Sequence, residues 1–348
     1  MPAEPGRMPR VLVIGCGSIG KRHLRNLLAL GVRELVAIDP RPERCEEAAA
    51  LGVEALTDLA AAWIRRPDAV VIATPTNRHV PLAIEAAQHG CHLFIEKPLA
   101  DRLDGIEELI RAVESRHLVT LVGCNLRFHP GLLKVKDLLV QSAVGRVVAI
   151  RIEAGQYLPD WHPWEDYRLG DSARRESGGG VMLDAIHELD YARWLLGEVQ
   201  AVACFSGTLS RLEIETEDTA ALLLQFASGV LGEVHLDYVQ RAYSRGCQVI
   251  GDEGTIRWDY AAGEVRWFSA LSGAWQVWTD PASWEPNQMY QEEIRHWLRC
   301  LRGEEPPAQD LREGLAVLEL ALAAKRSAER GEVVRTLLPA AAANGTGR

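Results

Sequence analysis

The chain has 348 residues, with 38 Lys and Arg against 48 Asp and Glu and a formal net charge of −10. This acidic balance argues against a nucleic-acid partner, because phosphate binding requires clustered lysines and arginines. The seven cysteines are scattered and form no CxxC pair, which is typical of reduced thiols rather than of disulfides or a zinc site. No apolar run reaches the roughly 18 residues of a membrane span. We therefore expect a cytoplasmic protein, and its length predicts two domains.

Short apolar segments alternate with helical patterns from residue 10 to about residue 124. Strands are predicted at 10–15, 34–39, 69–74, 92–96 and 118–123, with a weaker one at 53–56. Helices are predicted between them at 21–30, 41–51, 57–66, 77–89 and 102–116. Such alternation favours an α/β domain with a doubly wound parallel sheet.

After residue 145 the pattern changes to consecutive strand-like segments joined by short turns. They lie at 147–157, 201–209, 218–229, 229–239, 245–251, 255–260, 264–269 and 275–279. This succession predicts an antiparallel meander, followed by two closing helices at 287–302 and 310–330. We assign 1–126 to the first domain, 127–338 to an α+β domain and 339–348 to a disordered tail, and expect residues 1–9 to be frayed.

A GxGxxG motif connects the first predicted strand to the first helix. Gly15 permits a tight turn, Gly17 lets a pyrophosphate approach the backbone, and Gly20 lets the helix pack close to the strand. Ser18 and Ile19 complete the loop at the helix N-terminus, whose free N–H groups suit phosphate oxygens. The alternative is a glycine-rich turn without a ligand. The motif predicts a Rossmann dinucleotide-binding domain.

Asp39 ends the second predicted strand, nineteen residues after Gly20. A carboxylate there accepts hydrogen bonds from the adenosine ribose and repels a 2′-phosphate, which favours NAD. Arg41 is placed to pair with such a phosphate, so NADP stays open.

Further polar side chains follow later strands at the sheet edge where α/β proteins bind ligands. The candidates for lining the cofactor are Thr74, Pro75, Thr76, Asn77, His79, Glu96, Lys97, Asn125 and Arg127. Thr76, Asn77 or Asn125 are equally suited to capping a helix, and Arg127 to bridging the domains by an ion pair. Lys97 is held by the following proline at the strand end, where it suits polarisation of a substrate hydroxyl, or is a surface lysine.

Three glycines at 178–180 precede a predicted helix that carries Asp184, His187 and Asp190 at intervals of three residues. Side chains at that spacing share a helix face, so the trio is a solvated stripe, a metal site or part of an active site. No HxxxH motif or cysteine cluster accompanies it, and we therefore predict no metal. A histidine has an unperturbed pKa near 6.5, which suits a proton acceptor at neutral pH.

These motifs together resemble the family of glucose–fructose oxidoreductase, inositol dehydrogenase and rhizopine-catabolism proteins. The resemblance implies a Rossmann domain, a second domain with a large, mainly antiparallel open sheet, and oxidation or reduction of hydroxyls on sugars, cyclitols or nucleotide sugars. It further implies that Lys97 is the active-site lysine and His187 the catalytic histidine, that the Lys97–Pro98 bond is cis, and that the sheet forms homodimers or homotetramers. Many members separate the aspartate and histidine by four positions, whereas Asp184 and His187 differ by three.

Asp184 is accordingly expected to orient His187, with its carboxylate pointing in a direction that differs from that in members with the four-residue spacing. Asp190 is expected to be a structural partner at the helix surface. The aromatic loop at 156–168 is a weaker candidate for the substrate, through Trp161, Trp164 and Arg168. Two other functions remain open: a dihydrodiol-type or other carbonyl dehydrogenase or reductase, and a non-enzymatic dinucleotide-sensing regulator. Retention of both Lys97 and His187 argues against the sensor.

Overall fold

The computed structural model describes residues 8–336, so most of the predicted frayed start and all of the predicted tail lie outside it. The first half forms a six-stranded sheet in the order β3-β2-β1-β4-β5-β6, with every pairing parallel. Its strands are β1 (Val11–Ile14), β2 (Leu35–Ile38), β3 (Glu54–Leu56), β4 (Ala69–Ile72), β5 (His92–Glu96) and β6 (Thr120–Gly123). The predicted doubly wound sheet is confirmed, including β3, the strand that the sequence pattern indicated least clearly.

Helices cover both faces of this sheet. They are α1 (Ser18–Ala29), α2 (Pro42–Ala49), α3 (Leu59–Trp63), α4 (His79–Gln88) and α5 (Ile106–Ser115). β1 lies between β2 and β4, so β2 and β3 are added on one side of β1 and β4, β5 and β6 on the other. Ligands of such sheets bind at the carboxyl ends of the strands beside this switch. The glycine loop and Lys97 both lie at that edge.

The second half forms a nine-stranded sheet in the order β14-β13-β12-β11-β7-β10-β9-β8-β15. Its strands are β7 (Val147–Gly155), β8 (Val199–Gly207), β9 (Thr219–Phe226), β10 (Leu231–Asp237), β11 (Ser244–Gly251), β12 (Gly254–Asp259), β13 (Glu264–Ser269), β14 (Ala274–Thr279) and β15 (Val334–Arg335). The predicted meander is wrong in one respect, because β7 lies between β10 and β11 and pairs with β10 in parallel. Long-range pairing of this kind leaves no local signal in the sequence.

Five more helices complete the described chain: α6 (Pro130–Val140), α7 (Val181–Asp184), α8 (Ile186–Leu196), α9 (Asn287–Leu301) and α10 (Leu311–Arg330). α9 packs against the first sheet, where Ile294, Trp297 and Leu298 join its core and the Trp297 ring meets Phe94 edge-on at 5.7 Å. The sequence assigned this helix to the second domain. Its packing shows that α9 returns to the nucleotide domain, while the boundary at 126/127 remains a prediction.

The helix predicted after the three glycines is interrupted. α7 ends at Asp184, Ala185 has φ −90° and ψ 31°, and α8 starts at Ile186. Asp184 and His187 therefore do not share one helical face, and the expectation based on their spacing is wrong. The break also leaves the last carbonyl groups of α7 without helical partners.

Candidate active site

The glycine loop forms a cradle at the carboxyl ends of β1 and β4. Gly15 has φ +96°, and a Cβ there would clash with the carbonyl oxygen of Ala73. A Cβ on Gly20 would clash with the carbonyl oxygen of Gly15, so α1 passes close to the loop only because this residue is glycine. A Cβ on Gly17 would lie 3.3 Å from Nη1 of Arg44. The three glycines thus have the geometry that a dinucleotide pyrophosphate requires, and Ser18 and Ile19 begin α1.

Asp39 is buried beside this cradle. One carboxylate oxygen accepts a hydrogen bond from the backbone N–H of Cys16 at 2.9 Å, and the other accepts from the backbone N–H of Arg41 at 3.0 Å. The Arg41 side chain lies 3.4 Å from the same carboxylate, and Arg44 lies 3.7 Å from it on the other side. The acidic partner of the glycine loop is therefore in place, flanked by two cations. Arg44 was not identified from the sequence, although it lies on α2 only five residues after Asp39.

Lys97 connects the two halves of the molecule. The carboxylate of Glu96 lies 2.6 Å from Nε2 of buried His23 and accepts from the Lys97 backbone N–H at 3.2 Å, which holds the end of β5. The Lys97–Pro98 bond is cis, as expected. The ammonium group of Lys97 donates a hydrogen bond of 2.8 Å to the carbonyl oxygen of Asp184, at the end of α7. The helix break therefore supplies the acceptor that places the lysine in the cleft.

His187 lies at the start of α8, close to Lys97. The residue is 8% exposed, and its Nδ1 atom has no hydrogen-bond partner within residues 8–336. Burial lowers the pKa of the imidazole well below its usual value, and the positive charges of Lys97 and Arg245 lower it further. The histidine is therefore neutral at neutral pH, the form that accepts a proton.

Asp184 does not orient His187. Its carboxylate accepts a hydrogen bond of 2.5 Å from the hydroxyl group of Tyr238, which follows β10 and is fully buried. Burial and the neighbouring carboxylate raise the pKa of Tyr238 well above its usual value, so the tyrosine remains a donor. Sequence reasoning missed Tyr238, because its position one residue after a strand carries no motif.

Asp190 is buried, not at the helix surface as predicted. Its carboxylate forms a two-pronged ion pair with Arg127, with contacts of 2.6 and 2.9 Å, and accepts a hydrogen bond from Gln309 at 2.8 Å. The structure thus favours the domain-bridging alternative for Arg127. Asn125 is buried nearby with its Oδ1 atom unpartnered within the described residues, so it still offers an acceptor to a cofactor.

The segment after β4 contacts the second half of the chain. The Asn77 side chain donates to the carbonyl oxygen of Glu176 at 2.9 Å. The His79 ring nitrogens lie 2.9 Å from the carbonyl oxygens of Pro98 and Thr74, so this buried side chain ties together two strand ends. Thr74 and Pro75 lead into a short 3-10 turn, Thr76–Arg78, which precedes α4. The cofactor-lining role of these residues remains a prediction.

The three glycines before α7 are required by contacts within the protein. A Cβ on Gly178 would lie 2.7 Å from the Cβ of Asp101, in the first domain. Gly180 has φ +111°, and a Cβ there would clash with the carboxylate of Glu217. The approach at Gly178 brings the segment before α7 against the nucleotide domain, and thereby brings Asp184 within reach of Lys97.

The aromatic loop contributes one residue near these groups. The ring of Trp161 meets Tyr238 edge-on at 5.4 Å and is half-buried. Trp164 is 75% exposed, and Arg168 is engaged by Asp166 and Glu213 at 2.8 and 2.7 Å. Among the three weak substrate candidates, the structure places Trp161 next to the site.

Within the described part of the chain, His296, Cys300 and Glu305 are the one grouping whose donor atoms are close enough for a metal ion. The two ring nitrogens of His296 are already engaged, by the Glu305 carboxylate at 2.7 Å and the Ala308 N–H at 2.8 Å. Hydrogen bonding therefore accounts for this group without an ion. No helix within residues 8–336 is long and apolar enough to cross a membrane.

Comparison with known proteins agrees with this geometry. Residues 9–124 match the model of the oxidoreductase family with an NAD-binding Rossmann fold, and residues 132–257 match the GFO/IDH/MocA C-terminal domain. A myo-inositol 2-dehydrogenase of Thermotoga maritima is 30% identical over 345 residues, which cover 94% of this chain and 98% of that protein. The chain belongs to the GFO/IDH/MocA oxidoreductase family. It is an NAD-dependent oxidoreductase, as the resemblance implied.

Two further members of the GFO/IDH/MocA family are similar. A levoglucosan dehydrogenase of Pseudarthrobacter phenanthrenivorans is 30% identical over 289 residues, covering 71% of this chain and 73% of that protein. The crystal structure of the WlbA dehydrogenase from Bordetella pertussis, in complex with NADH and UDP-GlcNAcA, superposes with a TM-score of 0.83 at 26% identity and covers 97% of this chain and 100% of that one. The fold is therefore shared along nearly the whole chain.

Proposed function

We propose that this GFO/IDH/MocA protein oxidises a secondary hydroxyl group of a sugar, cyclitol or nucleotide sugar, or reduces the corresponding ketone. The observation that carries the proposal is the position of the Lys97 ammonium group, which is fixed on the Asp184 carbonyl and close to a neutral, buried His187. A cation and a proton acceptor together suit the removal of a hydroxyl proton while hydride leaves the same carbon.

NAD, when bound, supplies the hydride acceptor. The glycine cradle and Asp39 would hold its pyrophosphate and adenosine ribose, and the unpartnered Oδ1 atom of Asn125 offers an acceptor to the amide of the nicotinamide. Lys97 donates to the substrate oxygen and stabilises the negative charge that develops on it. His187 accepts the hydroxyl proton, and Tyr238 fixes Asp184, whose carbonyl orients the lysine.

The relatives support a polyhydroxylated substrate. Their names specify myo-inositol and levoglucosan, and the solved WlbA complex contains a nucleotide sugar. The test is NADH formation, followed by absorbance, against a panel of sugars, cyclitols, nucleotide sugars and dihydrodiols. Oxidation of a sugar-like compound is the expected result. Activity confined to dihydrodiols would favour the alternative carbonyl chemistry, and tight NAD binding without any turnover would favour the dinucleotide-sensing regulator.

We further propose that two copies associate through the outer face of the nine-stranded sheet. That face exposes large apolar side chains, with 81% of Phe205, 61% of Leu223 and 59% of Leu231 accessible. Exposed apolar side chains grouped on one face mark an interaction site. Sedimentation should give a dimer or tetramer that Phe205→Glu dissociates. Leu271→Glu, on a fully exposed turn, serves as the control. A wild-type protein that sediments as a single chain would contradict the proposal.

A further inference from the structure

A partly buried arginine on the second sheet lies against α8, the helix that carries His187. Arg245 lies on β11 on the same face as the buried residues Cys247 and Val249, which is the face that packs against the helices. Its Nε atom lies 2.9 Å from Oε1 of Glu188, which is fully buried and directly follows His187 on α8. The ion pair therefore fixes the guanidinium group next to the proposed proton acceptor.

Glu188 and the Tyr243 hydroxyl both contact this guanidinium group. Within residues 8–336, Glu188 is the single carboxylate at ion-pair distance from it, through Nε. The Tyr243 ring lies beside it, 6.0 Å from its central carbon, and 19% of the side chain remains exposed. An arginine has five N–H donors in a rigid fork that matches the two oxygens of a carboxylate or phosphate. Glu188 at Nε and the Tyr243 hydroxyl engage two of these donors, which leaves further N–H groups for a ligand.

The surrounding charges favour a negative ligand. The two charged groups that lower the pKa of His187 are both cations, Lys97 and Arg245. The carboxylate of Asp184 is bound by the Tyr238 hydroxyl, and that of Glu188 pairs with Nε of Arg245. The field at the imidazole is therefore positive, and an anion placed beside it would be attracted.

We propose that Arg245 binds an anionic group of the substrate, a carboxylate or a phosphate, beside the hydroxyl group that is oxidised. The proposal rests on the proposed function and specifies its substrate class. The alternative is a purely structural ion pair. Burying such a pair gains little stability over apolar residues, because both charges lose their hydration. An ion pair one residue from His187, with donors left over, is better explained by ligand binding.

The first test measures kcat and KM for D-glucuronate and D-glucose 6-phosphate, which carry a carboxylate and a phosphate, and for neutral myo-inositol. We expect higher kcat/KM for one of the anionic compounds, and the preferred one identifies the anion.

Arg245→Lys keeps the charge and a partner for Glu188 but loses the fork. It should lower the ratio of kcat/KM for the preferred anionic compound to kcat/KM for myo-inositol at least about tenfold, mainly by raising the KM for the anionic compound. Arg257→Lys, on the exposed face of β12, should leave the ratio unchanged.

Two kinetic results would overturn the proposal. One is a wild-type preference for the neutral compound. The other is an equal loss on all compounds in Arg245→Lys, which marks a structural role. If no compound at all is oxidised, the proposed function fails separately, and calorimetry on the NAD-loaded protein then decides the anion site. Binding of either anion that Arg245→Lys weakens tenfold would support the site, and no binding of either anion would refute it.

Discussion

The two sides of the cleft are built in different ways. On the nucleotide side, Gly15, Gly20 and Asp39 lie within 25 consecutive residues and are fixed by one strand–loop–helix–strand unit. On the substrate side, His187 and Arg245 come from elements far apart in the chain, and the ion pair between Arg245 and Glu188 joins these elements. The comparison teaches that the cofactor site is a local property of the sequence, whereas the substrate site depends on how the second sheet folds.

The largest expected effect comes from the residue that joins the two sides. Lys97→Met removes the ammonium group that donates to the Asp184 carbonyl and, in our account, to the substrate oxygen. Turnover should fall about 10²- to 10⁴-fold, the usual range for a group that assists proton transfer. NAD affinity, measured by fluorescence titration, should change little. Unchanged turnover would refute the role assigned to Lys97.

A smaller loss of activity is expected from a variant that changes the substrate side of the cleft and leaves the cofactor side intact. Tyr238→Phe leaves the Asp184 carboxylate without its hydroxyl donor, a bond of the kind worth about 1.5–3 kcal/mol. We expect kcat to fall roughly tenfold, with the KM for NAD unchanged, because the glycine cradle is not involved.

Tyr191→Phe is the matched control for this variant. Tyr191 is also fully buried and lies on α8, but within residues 8–336 its hydroxyl donates its one hydrogen bond to the carbonyl oxygen of Gly246, at 3.4 Å. Equal losses in both variants would show that general packing, not the support of Asp184, explains the effect.

The smallest effect concerns the choice of cofactor. Asp39 is flanked by Arg41 and Arg44, so removal of its charge leaves two cations where a 2′-phosphate would bind. Asp39→Ser should therefore reduce the NAD-over-NADP ratio of kcat/KM about tenfold, equivalent to 1.4 kcal/mol. Adding Arg44→Ala should restore part of that ratio. A wild-type enzyme that uses both cofactors equally would contradict the role of Asp39.

The sequence correctly predicted the parallel sheet, the position of the glycine loop between β1 and α1 and the position of Lys97 at the end of β5, because each depends on residues close together in the chain. It did not predict the parallel β7–β10 pairing or the return of α9 to the first domain, since both depend on distant segments. The break at Ala185 was missed for another reason. A helical pattern continues across it, and only the contacts of Asp184 with Tyr238 and Lys97 show why the helix is interrupted.

The pH dependence of kcat/KM tests the account most directly. His187 must be neutral to accept a proton, and burial, Lys97 and Arg245 all lower its pKa well below 6.5. Protonation inactivates the base only below that lowered pKa, so activity attributable to this group should persist as the pH falls from 7 through 6 and decline only in more acidic solution. A decline centred at or above pH 6.5 that disappears in His187→Asn would show that the pKa of His187 is not lowered by burial and the two cations, and would contradict the site described.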